Sequence, residues 1–142
     1  MFSMPGKRIM IVEDEALVAM LLSESVAELG FSVVGPFSKA AAAIAGMKDT
    51  PIDVAILDIN LAGETVYPVA SLLREQGIPY IFVTGYGSES IDPEFVDIPV
   101  LQKPIERERL RQILTPRKHQ EPLHPPAQEV GSQTPQRRYQ SI

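Results

Sequence analysis

The sequence contains no cysteine, and that absence removes disulfides, thiolate zinc sites and cysteine nucleophiles together. Histidine is almost as scarce. The two present, His119 and His124, lie after Thr115, so any chemistry in the preceding residues must proceed without an imidazole. No uninterrupted apolar run approaches the roughly 20 residues that cross a bilayer, and the first 20 residues lack the apolar block of a secretory signal. The expectation is a cytoplasmic protein with no membrane attachment. The 142 residues leave room for one domain of ordinary size and not for two. With 44% apolar and 22% charged residues, the composition supports a hydrophobic core of useful size.

Charge divides the chain unevenly. From Thr115 onward there are four basic residues (Arg117, Lys118, Arg137, Arg138) and two acidic ones (Glu121, Glu129). Subtracting these from the 13 basic and 18 acidic residues of the whole chain leaves 9 and 16 before Thr115, a net charge of −7. An acidic domain repels phosphate backbones, so no nucleic-acid partner is expected. Residues 115–142 hold five prolines and five glutamines and show no helical or strand period. Such a segment buries too little to offset its ordering entropy and reads as a disordered tail. The expected organisation is therefore an extension over residues 1–6, a domain over 7–114 and a tail over 115–142, in which Arg137-Arg138-Tyr139 could serve as a partner-binding peptide.

Within the domain, five short apolar runs alternate with helical patterns. Ile9-Met10-Ile11-Val12 is continuously apolar, as a strand covered on both faces requires. Asp14 is a candidate N-cap for a helix carrying Val18, Leu22, Val26 and Leu29 on one face and stopped by Gly30. Residues 31–35 form a second strand. Ser38 is a candidate cap for an alanine-rich helix ending near Met47, and residues 52–57 form a third strand. Pro68 suits the first turn of a helix with Val69, Leu72 and Leu73 inward. Gly77 ends that helix, residues 80–83 and 99–101 supply two more strands, and residues 105–114 close the domain as an amphipathic helix with Arg107, Arg109 and Arg111 outward. Glycine, serine and Pro93 between Gly85 and Asp97 predict a short or irregular fourth helix. Alternation of this kind argues for an α/β protein with a parallel sheet covered on both sides, its active groups at the carboxyl ends of the strands.

The residues at those ends are Glu13 and Asp14 after the first strand, Asp58 after the third, Thr84 after the fourth and Lys103 after the fifth. Each has an ordinary structural role when taken alone: cap, turn, strand end, solvated charge. Together they put three carboxylates, a hydroxyl and an ammonium on one edge of the sheet. Carboxylates this close raise one another's pKa unless a cation intervenes. Mg²⁺ suits the set, because it binds through a few carboxylates while keeping waters and phosphate oxygens.

These residues resemble the receiver domain of two-component response regulators, over about residues 7–114. The resemblance is carried by Glu13-Asp14, by Asp58 within Leu57-Asp58-Ile59-Asn60-Leu61, by Thr84 in Val83-Thr84-Gly85 and by Lys103-Pro104. The run from Ile78 to Gly87 is similar to stand-alone regulators of alphaproteobacteria with a Phe-Ala-Thr-Gly type motif, Val83 standing at the alanine. That family implies a flavodoxin-like, doubly wound five-stranded sheet of order 2-1-3-4-5. It further implies that Asp58 accepts a phosphoryl group from a sensor histidine kinase or a histidine phosphotransfer protein, with Thr84 and Lys103 contacting phosphoryl oxygens. Mg²⁺ would be held by Asp14 and Asp58, by Glu13 through water and by the main-chain carbonyl of Asn60. Output would pass to a downstream protein effector or along a phosphorelay, and the domain would not be a turnover enzyme. Lys103-Pro104 is expected to have a cis peptide, as in the family.

The sequence departs from the family at Val100, three residues before Lys103, where many receivers carry a switch aromatic. Tyr86 is a candidate substitute, and an order–disorder change between Gly85 and Asp97 is a second route for the switch. Three other readings compete. A pseudo-receiver would bind partners unphosphorylated, yet Asp58 and Lys103 are both present. A phosphatase of the aspartate-nucleophile type usually adds an acid two residues on, where Asn60 stands. A flavodoxin-like cofactor protein would need a phosphate-cradling loop after the first strand, where the residues are acidic.

Overall fold

A computed structural model describes residues 7–85 and 91–115. The elements are β1 (Arg8–Val12), α1 (Ala16–Glu28), β2 (Ser32–Phe37), α2 (Ala40–Asp49), β3 (Val54–Asp58), β4 (Asn60–Leu61), β5 (Glu64–Thr65), α3 (Tyr67–Glu75), β6 (Tyr80–Thr84), β7 (Val100–Gln102) and α4 (Arg107–Leu114). Five strands form one parallel sheet of order β2-β1-β3-β6-β7. This is the expected 2-1-3-4-5 order once the small hairpin β4-β5 is set aside.

The apolar runs are continuous because successive side chains serve different cores. Met10 and Val12, Ala55 and Leu57, and Tyr80 and Phe82 join one buried cluster with α2 and α3 residues such as Ala43, Val69 and Leu73. The alternate residues Ile9 and Ile11, Val54 and Ile56, and Ile81 and Val83 join the other, with Leu22 and Val26 of α1 and Leu110 and Leu114 of α4. β1, β3 and β6 therefore have no solvent-facing side to reveal by a polar period.

Several local expectations are corrected. Asp14 does not cap α1: Glu15 occupies the N-cap position, with no side-chain cap bond. Ser38 does not cap α2 either, since Lys39 is the N-cap residue. The Ala40 N–H instead donates to Glu64 Oε2 at 3.2 Å, so a residue of the β4-β5 hairpin closes that helix end. α2 also continues two residues past Met47, to Asp49.

The second strand runs on to Phe37 rather than ending at Gly35. Its register shifts against β1 between Met10 and Val12, and the Glu13 N–H then donates to the Phe37 carbonyl at 2.8 Å. Gly35 has φ +98°, and a Cβ there would lie 2.9 Å from Phe37 Cδ2 and 3.1 Å from the Ile11 carbonyl oxygen, so glycine is required at this irregularity. The Gly35-Pro36 peptide is cis, and Pro36 is tolerated because β2 lies at the sheet edge. Of the inward set on α3, Val69 and Leu73 are buried while Leu72 is half-buried. The outward set on α4 is likewise mixed, with Arg109 half-buried. In the segment read as a short fourth helix, the described residues contain a single 3-10 turn, Pro93–Phe95, capped by the Asp92 carboxylate, which accepts the Glu94 N–H.

Candidate active site at the carboxyl edge of the sheet

The strands end in step, and this brings the polar residues together. Asp58 is the last residue of β3 and pairs with Val83 of β6. Thr84 ends β6, and its carbonyl accepts the Lys103 N–H at 2.8 Å, placing Lys103 directly past β7. Glu13 follows β1, where its N–H is held by Phe37 of β2. Glu13, Asp58 and Thr84 are the buried polar residues of the described chain. The Lys103-Pro104 peptide is cis, as the family resemblance implied.

One oxygen from each of Glu13, Asp14 and Asp58 lies within 4.8 Å of the others. The Lys103 ammonium meets this cluster from one side: its Nζ is 3.0 Å from Glu13 Oε1, 2.9 Å from Glu15 Oε1 and 3.4 Å from Asp58 Oδ2. Burial, then the charge of Glu13 and hydrogen bonds with Asp14 and Glu13, push the Asp58 carboxyl up to about 8, against the opposing pull of Lys103. Burial alone would lower the Lys103 pKa. Hydrogen bonds to Glu15 and Glu13 and the charges of Asp58 and Glu13 outweigh it and hold the ammonium above its ordinary value.

The site residues expected from the sequence assemble, with two qualifications of position. Asn60 lies two residues past Asp58 as the exposed first residue of β4, opposite Thr65. Tyr86 lies outside the described residues. Sequence reasoning missed Glu15, the nearest carboxylate to Lys103. Its signal was the unbroken acidic run Glu13-Asp14-Glu15, of which only the first two were weighed.

The donor set suits a hard divalent cation. Three carboxylates contact the ammonium, Asp14 lies beside two of them, and all these donors are oxygens. Glu13 Oε1 is buried and makes no hydrogen bond, although it lies within ion-pair distance of Lys103. A buried carboxylate oxygen lacking a hydrogen bond is the kind of atom a metal ion completes. Beside the cluster, a groove of about 340 Å³ is lined by Glu15, Val18, Leu22, Lys103, Pro104 and Ile105 among others.

A doubly wound parallel sheet with carboxylates and one lysine at its carboxyl edge defines a class, the flavodoxin-like α/β proteins whose site is acidic and suited to a cation. Within that class, the chain belongs to the response regulator receiver domain family, which it matches over residues 9–115. It is 33% identical over 111 residues to an uncharacterised response regulatory protein of Yersinia pestis, covering 76% of this chain and 47% of that one. The structure of SdrG from Sphingomonas melonis Fr1 is similar at 42% identity and a TM-score of 0.68, over 75% of this chain and 92% of that one. A BeF3-activated conformation of SdrG matches at 43% identity and a TM-score of 0.66. The response regulator PhyR from Brucella abortus is 28% identical with a TM-score of 0.66, over 80% of this chain and 48% of that one. The chain spans about half the length of the curated relatives it matches. Among the described residues, no helix is long and apolar enough to cross a membrane.

Proposed function

We propose that the chain is a Mg²⁺-dependent phosphoacceptor that takes a phosphoryl group onto Asp58 from a phosphohistidine of a sensor histidine kinase or histidine phosphotransfer protein. The observation that carries this reading is a buried aspartate at a strand end with a lysine ammonium 3.4 Å away and two further carboxylates beside it. An Asp58 oxygen attacks phosphorus, the P–N bond of the donor breaks, and its electron pair returns to the donor imidazole. Water later attacks the acyl phosphate, releasing inorganic phosphate and restoring the carboxylate, so the domain resets its own state instead of turning over an external substrate.

Phosphoryl transfer asks the protein mainly for placement and charge compensation. Lys103 offers a positive charge to one phosphoryl oxygen and Thr84 a hydroxyl donor to another. Glu13, Asp14, Asp58 and the Asn60 carbonyl would hold Mg²⁺, which when bound offsets negative charge on the phosphoryl oxygens and the carboxylates. The phosphorylated domain signals by contact with a protein effector or passes the group along a relay, in the cytoplasm.

The test is intact-protein mass after incubation with acetyl phosphate, with and without Mg²⁺, beside Asp58→Asn. A Mg²⁺-dependent gain of one phosphoryl group, absent from the variant, is the expected outcome. If neither acetyl phosphate nor beryllofluoride acts on the wild type, the unphosphorylated pseudo-receiver reading replaces this one.

A further inference from the structure

Lys103 has three N–H donors and no free one to offer. Its hydrogen bonds to Glu15 Oε1 at 2.9 Å and Glu13 Oε2 at 3.2 Å are both shorter than its contact to Asp58 Oδ2 at 3.4 Å. The donor nearest an arriving phosphoryl oxygen is the long one on Asp58, so drawing the ammonium onto the phosphoryl group pulls it away from the two glutamates. The two differ sharply in freedom. The Glu13 side chain is 1% exposed, and its Oε2 also accepts the Glu15 N–H at 3.0 Å. The Glu15 side chain is 61% exposed, so water replaces the ammonium there at little cost.

Glu15 is also out of place by the ordinary rules of helix ends. It holds the N-cap position of α1, which favours short side chains such as Ser, Thr, Asp and Asn that accept an N–H of their own first turn. Glu15 makes no such bond. Its backbone is fixed at both ends, the N–H on Glu13 and the carbonyl on the Ala19 N–H at 2.9 Å, and its carboxylate reaches away from the helix to Lys103.

We infer that Glu15 is a positioning residue, which holds the Lys103 ammonium at the mouth of the site while Asp58 is unmodified and yields it when a phosphoryl group arrives. The tether competes with the phosphoryl oxygens for Lys103, and it sets how readily the site closes on a phosphoryl group. This inference rests on the phosphoacceptor reading and adds to it a residue outside the carboxylate cluster that tunes the response.

The test compares wild type, Glu15→Gln and Glu15→Asp for beryllofluoride binding at fixed Mg²⁺, followed by the amide resonances of Thr84 and Gly85. Gln removes the charge. Asp keeps it, but is one methylene shorter and suited to capping its own helix. Both variants are expected to half-saturate at roughly 2- to 5-fold lower beryllofluoride, the range an exposed ion pair commands. Glu15→Asp is expected to melt no lower than wild type. Tightening by Gln alone would mean that Glu15 only repels the anion, and would overturn the tether, as would any other pattern among the variants. A wild type that binds no beryllofluoride and takes nothing from acetyl phosphate overturns the phosphoacceptor reading and this inference with it. A wild type that binds while the variants bind equally well overturns the inference alone.

Discussion

At Asp58, burial and the neighbouring Glu13 and Asp14 push the carboxyl from 3.8 to about 8, and the consequence for stability has a definite sign. Between those two values the folded protein keeps a proton that the unfolded chain has released. Folding is then linked to proton uptake, so the contribution of Asp58 is complete below pH 3.8 and is lost as pH rises through 8. Metal-free protein is therefore expected to lose stability over this range relative to Asp58→Asn. The variant should be the more stable of the two at the alkaline end. Paired thermal melts across the range check this, and parallel curves would show that Asp58 ionises without penalty. Mg²⁺ favours the carboxylate form and is expected to flatten the difference.

At the scale of elements, two packing devices shape the site's surroundings. α2 lies so close to β2 that a Cβ on Gly46 would sit 2.4 Å from Phe37 Cζ. Gly46→Ala is expected to destabilise by about 1–3 kcal/mol despite its better helix propensity. Phe37→Leu in the same chain should recover part of that loss in denaturant melts.

The second device is a clamp from α3 onto the segment leading to β7. Tyr67 stacks on Phe95 at 5.0 Å and meets Phe82 edge-on at 6.0 Å, and its hydroxyl accepts the Asp92 N–H at 3.0 Å. Two turns along the same helix, Arg74 lies over the Phe95 ring at 5.3 Å, pairs with Asp97 at 3.0 Å and donates to the Glu94 carbonyl. Phe82 is two residues before Thr84 and pairs with Val100, so one ring of this clamp lies next to the position where the sequence lacks a switch aromatic. Arg74→Ala is expected to speed amide exchange of Phe95 and Ile98 by roughly fivefold, the equivalent of ~1 kcal/mol. The amides of Ile9 to Val12 should be unaffected; a uniform change would mean the clamp is not local.

For the whole molecule, the two buried clusters on opposite faces of the sheet stabilise the scaffold, and the carboxyl edge opposes them with crowded negative charge. A divalent cation that binds the folded state alone should stabilise the entire domain. Mg²⁺ at about 100 times its dissociation constant is expected to add about 2.7 kcal/mol, and the gain should shrink in Asp14→Asn. A calorimetric midpoint unchanged by Mg²⁺ would remove the cation from the site.

Much of this was legible in the sequence, for a physical reason. Strands covered on both faces must be apolar throughout, so runs such as Ile9 to Val12 announce themselves. A parallel sheet aligns its strand ends, so polar residues just past four of the five runs (Glu13, Asp14, Asp58, Thr84, Lys103) identify one edge. Cysteine's absence and histidine's confinement beyond Thr115 narrowed the chemistry further.

Tertiary structure decided what depends on partners distant in the chain. Asp14 and Ser38 looked like caps because capping is a local rule. The end of α2 is instead closed by Glu64, 24 residues on, from a hairpin turned by Ala62 and Gly63 at positive φ. The passage of β2 through Gly35-Pro36 depends on the β1 backbone beside it. The role of Glu15 depends on Lys103, 88 residues away. Side-chain period and strand polarity are properties of a single segment, whereas caps, register shifts and counter-ions are set by which segments the fold brings into contact.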